Sequence, residues 1–169
     1  MTETAKNARE ILGYCRYALE ELRRDPPDKQ RWVVRWVAAL ALLRTVDEAL
    51  KNVDVQISPA IREARANWKR GLQNSTPLIY GEFIHGDTNR LLHQAKVVPV
   101  NKSGLALPTP TPGASDTVVF KYRYSMASGP FMGRDPRDLV EEAIHWWEQQ
   151  LTLIERDAGE AKTGTDSSK

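Results

Sequence analysis

The chain has 169 residues, enough for one domain with a substantial core, and its 41% hydrophobic and 27% charged content is ordinary for a globular protein. A formal net charge of +2 sets no demand for nucleic acid or an anionic membrane as partner. The single cysteine, Cys15, excludes an internal disulfide and a multi-cysteine zinc site.

The polar start, Met1 to Glu10, lacks the apolar core of a signal peptide. The first predicted helix runs from Thr4 to Arg24, with Ala8, Ile11, Leu12, Cys15, Leu19 and Leu22 at helical spacing, so Cys15 reads as a buried, inert thiol. Pro26-Pro27 ends it, because proline lacks the amide hydrogen and restricts the residue before it. The second helix, Asp28 to Val53, is apolar nearly all round from Trp32 to Leu43, which places it in the middle of a bundle. Its apolar run, Val33 to Leu43, is too short for a bilayer core of about 30 Å. A cytoplasmic setting without membrane contact is expected.

Ser58-Pro59 starts the third helix by cap and first-turn proline, with Ile61, Ala64, Trp68 and Leu72 as its buried stripe. Thr76-Pro77 repeats that pattern for a fourth helix reaching Gln94, in which Gly81 and Gly86 mark close packing or a kink. The pattern then changes. Lys96 to Val100 reads as a short strand, Asn101 to Gly104 as a turn, and Leu105 to Leu107 as a strand pairing back. Pro108, Pro110, Pro112 and Gly113 make an extended loop. From Thr117 to Ser125, Val118, Phe120, Tyr122 and Tyr124 alternate with Val119, Lys121, Arg123 and Ser125, the period of a half-buried strand. Asp135-Pro136 opens the last helix, whose buried register is Leu139, Val140, Ala143, Ile144, Trp147, Leu151 and Ile154. Residues 159–169 are small and polar and read as a disordered tail.

The expected fold is therefore mainly α. It is one domain over residues 1–158, a four- to five-helix bundle with a small antiparallel β-insertion at about 96–126, between the last two helices.

Chemistry-bearing side chains are densest in Phe83 to His93, where Asp87, Asn89 and Arg90 lie between His85 and His93. On an unbroken helix these histidines are about 12 Å apart, too far to share a zinc ion, so no metal or cofactor is expected. His85, Asn89 and His93 instead span about 80° of helix surface and form a polar edge beside Ile84, Thr88, Leu91 and Ala95. Arg44, with Asp47 and Glu48 at i+3 and i+4, is a helical ion pair or an arginine held ready for an anion. Arg62, Arg65 and Lys69 form a basic stripe, which is a solvated helix face or, with Lys121 and Arg123, a nucleic-acid surface. Trp146, rotated away from buried Trp147, is a candidate interface anchor together with Trp32 or Trp36, or a second core layer. No catalytic residue is assigned.

A bundle of long helices with Asp87, Asn89, Arg90 and His93 late in it resembles HEPN-type domains, named for nucleotide binding in higher eukaryotes and prokaryotes. The resemblance spans Thr4 to Gln94 at the level of helix pattern. It implies a helical fold and, for many members, RNA cleavage in toxin–antitoxin and defence systems, often by dimers. The family's catalytic Arg and His stand further apart than Arg90 and His93, so catalytic residues are not carried over. The expectation from the residues is a non-catalytic intracellular interaction protein with a protein partner or a second copy of itself. The alternative is a divergent HEPN-like RNA-binding or RNA-cleaving domain.

Overall fold

The computed structural model describes residues 3–24, 28–90, 100–108 and 118–166. It is a helical bundle carrying one two-stranded antiparallel sheet. Helix α1 (Lys6–Arg23) buries Ala8, Leu12, Cys15, Ala18, Leu19 and Leu22. Burial pushes the Cys15 thiol up to about 12, which leaves it unreactive. Helix α2 (Lys29–Ala49) starts at Asp28, whose carboxylate accepts from the Gln30 amide at 2.8 Å. Trp32, Trp36, Ala39, Leu40, Leu43 and Val46 are its buried face. Val34, however, is 67% exposed, so α2 keeps one open strip despite its apolar composition.

Helix α2 runs on through a π-helical turn, Leu50–Asp54, and one short turn, Val55–Ile57. Asp54 in that π-turn is buried and reaches the start of α1. It accepts from the Asn7 and Ala8 amides at 3.0 and 2.9 Å, satisfying free donors at a positive helix end. Helix α3 (Pro59–Asn74) begins as its sequence requires, with the Ser58 hydroxyl accepting from the Ile61 amide at 3.2 Å. Thr76 does not repeat that role: its hydroxyl donates back to the Leu72 carbonyl at 2.9 Å.

Helix α4 (Ile79–Asp87) is π-helical throughout, with i→i+5 bonding, before Thr88 to Arg90 return to α-helix. Gly81 allows close packing here, since a Cβ would lie 3.0 Å from the Thr76 methyl. Strands β1 (Val100–Pro108) and β2 (Val118–Met126) pair antiparallel, from Val100 opposite Met126 to Pro108 opposite Val118. Asn101 to Gly104, expected as a turn, is therefore strand. These residues are turn formers by local chemistry, but the long-range ladder satisfies their backbone, and Gly104 lies opposite Tyr122. The expected strand at 96–99 lies outside the described residues. The ribbon meets the bundle at its base, where buried Tyr124 stacks on Trp32 with centroids 4.4 Å apart.

Helix α5 (Pro136–Asp166) packs against α1, α2, α3 and α4. Every residue of its expected register is buried, from Leu139 to Ile154, and so is Ala158 one turn on. The helix continues to Asp166, through the segment whose composition reads as a tail. Against α1 it forms a ladder of Arg9–Glu155 (2.6 Å), Arg16–Glu148 and Arg23–Glu141 (2.7 Å). Both partners advance by seven residues per rung, the repeat that keeps one face of two antiparallel helices in register. Among the described residues no helix is long and apolar enough to cross a membrane.

Candidate functional site

The densest polar cluster is centred on Asp47, on the inner side of α2, 4% exposed. Its Oδ1 pairs with Arg65 of α3 at 3.0 Å. Its Oδ2 accepts from the Tyr80 hydroxyl at 3.2 Å and lies 3.5 Å from Arg44 and 3.7 Å from His85. Arg44 also reaches Glu48 at 3.1 Å. Lys69, one turn beyond Arg65 on α3, donates to the Tyr80 hydroxyl at 3.1 Å and stands over its ring at 5.2 Å. Three helices thus meet on one buried carboxylate, which must be paired to remain charged in such a place.

Aromatic rings form the floor. Tyr80 stacks on Trp146 at 4.7 Å and meets Trp68, Trp147 and His85 edge-on. The Trp68 indole donates to Gln150 at 2.9 Å, tying α3 to α5. Burial, then Asp47, pushes the Tyr80 hydroxyl well above its ordinary range, so it stays a donor. Burial, then Arg44, lowers His85 to about 4, so the ring is neutral at pH 7. Arg44 Nη1 lies 2.7 Å from His85 Nδ1 and 2.8 Å from Nε2. A neutral imidazole has only one acceptor nitrogen, so Nη1 donates to one ring nitrogen and leans on Asp47 Oδ2 at 3.5 Å, while Nη2 pairs with Glu48.

Of the sequence-derived candidates, Arg44, His85, Arg65 and Lys69 are brought together here. Arg62 is not; it points away and donates to the Val55 carbonyl at 3.0 Å. The basic stripe on α3 is thus split, because Arg65 and Lys69 turn inward to Asp47 and Tyr80. His85 and Asn89 do not form one polar edge either. His85 enters the cluster while Asn89 is exposed, since π-winding rotates the face that α-helical spacing predicts. Asp87 is buried and pairs with Arg90. Burial raises its carboxyl, Arg90 opposes the shift, and Oδ2 has no partner among the described residues. His93 lies outside the described residues, as do Leu91 and Ala95, and the Lys121 and Arg123 side chains are likewise not described.

The tryptophan anchors are also relocated. Trp32 and Trp36 are core residues, 3% and 0% exposed, packed on Tyr124 and Phe83. They therefore offer no surface, because α2 turns that face inward. Trp146 is half-buried and forms a second aromatic layer against Tyr80 and Trp68. In the sequence Asp47 stands out only as Arg44's helical neighbour, and Tyr80 does not stand out at all. A buried position for Asp47 was readable from its spacing after Leu40 and Leu43.

Among the described residues no group of His, Cys, Asp or Glu is arranged to hold a metal. No family model, curated protein or solved structure matches this chain.

Proposed function

We propose that the protein acts by binding rather than by catalysis, as a cytoplasmic helical scaffold that self-associates through its β-ribbon. The observation that carries this reading is the ribbon's construction: nine residues per strand, about 30 Å, attached at its base, with no third strand among the described residues. Two-stranded ribbons are marginal alone, and three or more strands make a stable sheet. Of the two edges, β1 carries a single charge, Lys102, whereas β2 carries Lys121 and Arg123. Charged edges resist strand addition, so of the two described strands β1 is the one better suited to receive a second copy. A two-fold axis at Gly104 sets Lys102 opposite Ala106 of the partner, free of like-charge opposition.

Light scattering on the full chain tests this reading. A dimer is expected, turning to monomer when Ala106→Pro removes a donor from the β1 edge, with helical circular dichroism unchanged. A monomer at every concentration sinks it.

The second reading, a divergent HEPN-like RNA-binding or RNA-cleaving domain, draws on the cations gathered at Asp47. It requires RNA binding that weakens steeply with salt and is lost in Arg44→Ala.

A further inference from the structure

We infer that the outer side of the Asp47 cluster is an oxyanion site, taking a phosphate-type group between Arg44, Lys69 and His85. The inference does not rest on the ribbon. Three cations, Arg44, Arg65 and Lys69, gather here around two carboxylates, Asp47 and Glu48, and of the three only the arginines pair with them. Glu48 is further shared with Lys51 at 3.9 Å. Asp47 is consumed by its short pair with Arg65 and by the Tyr80 hydroxyl, and its pair with Arg44 is the longer one. No carboxylate pairs with Lys69 among the described residues; its ammonium meets only a phenol oxygen and two aromatic rings.

The cluster is therefore short of negative charge, and the shortage lies at its open side. Asp47 and Tyr80 form the buried floor, while the Arg44 and His85 side chains are 24% and 22% exposed. Arg44 divides its inner nitrogen between a neutral ring that accepts only once and the longer pair with Asp47. An oxyanion accepts from Arg44 and Lys69 and, as Arg44 swings off the ring to meet it, from the N–H of neutral His85. Such charge-assisted bonds are stronger than the contacts they replace. The planar guanidinium suits a phosphate, and the lysine adds a mobile point charge.

The test adds inorganic phosphate to the full chain and follows it by NMR, with chloride at matched ionic strength as control. At neutral pH, phosphate is expected to shift the Arg44, Lys69 and His85 resonances, and chloride is not. In acid, the His85 titration, about 4 in the free protein, moves upward with phosphate, because a new negative charge favours the imidazolium. Lys69→Gln keeps the fold and weakens phosphate binding about tenfold, the loss of one charge-assisted bond. Phenyl phosphate separates two sources of the anion. Equal affinity assigns the site to free phosphate, and tighter binding assigns it to a phosphate carried on a larger molecule. Unmoved His85 resonances with both ligands, the same shifts with chloride, or unchanged affinity in Lys69→Gln overturn the inference.

Discussion

The α1–α5 ladder and the Asp47 cluster use the same side chains, Arg with Asp or Glu, to opposite ends. In the ladder each guanidinium has its own carboxylate, both are partly in water, and the rungs are independent: Arg16 and Glu148 are 52% and 32% exposed. In the cluster one buried carboxylate answers to two arginines, a tyrosine and a histidine from three helices. Exposed pairs gain little because water screens them and already solvates each partner. A buried, shared carboxylate cannot be removed without leaving several desolvated groups unpaired. The ladder sets the alignment of two helices, and the cluster makes three helices depend on one atom group.

Asp47→Ala is the most severe break of that contrast. It strands Arg65 and the Tyr80 hydroxyl in the interior and should cost about 3 kcal/mol in urea unfolding. A loss no larger than that of a ladder residue would remove the distinction between the two assemblies. Asp54→Ala tests whether a buried carboxylate matters equally when its partners are backbone amides. Losing the cap on α1 should cost about 2 kcal/mol, read from the same curves.

His85 sharpens the comparison through pH. Its folded value, about 4, lies below its ordinary 6.5, so the unfolded chain binds the proton first. Its contribution to stability is complete above 6.5 and is lost as pH falls towards 4. Comparing wild type with His85→Asn over that window, the wild type should lose more stability on acidification. Parallel curves would place His85 outside the cluster's electrostatics. Arg16→Ala should have the smallest effect, below about 0.5 kcal/mol, and be further reduced by salt. A larger, salt-insensitive loss would make the ladder a packing element instead.

Much of the bundle is legible in the sequence because its signals are local. Cap and proline fix the start of α3 at Ser58-Pro59, and the α5 register from Leu139 to Ile154 is readable by period alone. The ladder is legible only by halves: arginines at 9, 16 and 23 share one face of α1, but their pairing with glutamates at 155, 148 and 141 needs α5 docked against it. The site was legible only in pieces. Arg44, His85, Arg65 and Lys69 stood out as separate candidates on separate helices, and nothing in their spacing joined them.

The sequence by itself determined the helical bundle, its inserted β-element and most of the buried stripes, since these follow from apolar period, caps and prolines within one segment. The tertiary structure alone decided that Asp47 gathers residues from α2, α3 and α4, that Trp32 and Trp36 face inward, and that Asn101 to Gly104 is strand rather than turn. It also decided the π-winding of α4, which carries His85 into the cluster and leaves Asn89 outside. Each of these depends on partners distant along the chain, and a buried charge or an unpaired strand takes its place from whatever folding brings beside it.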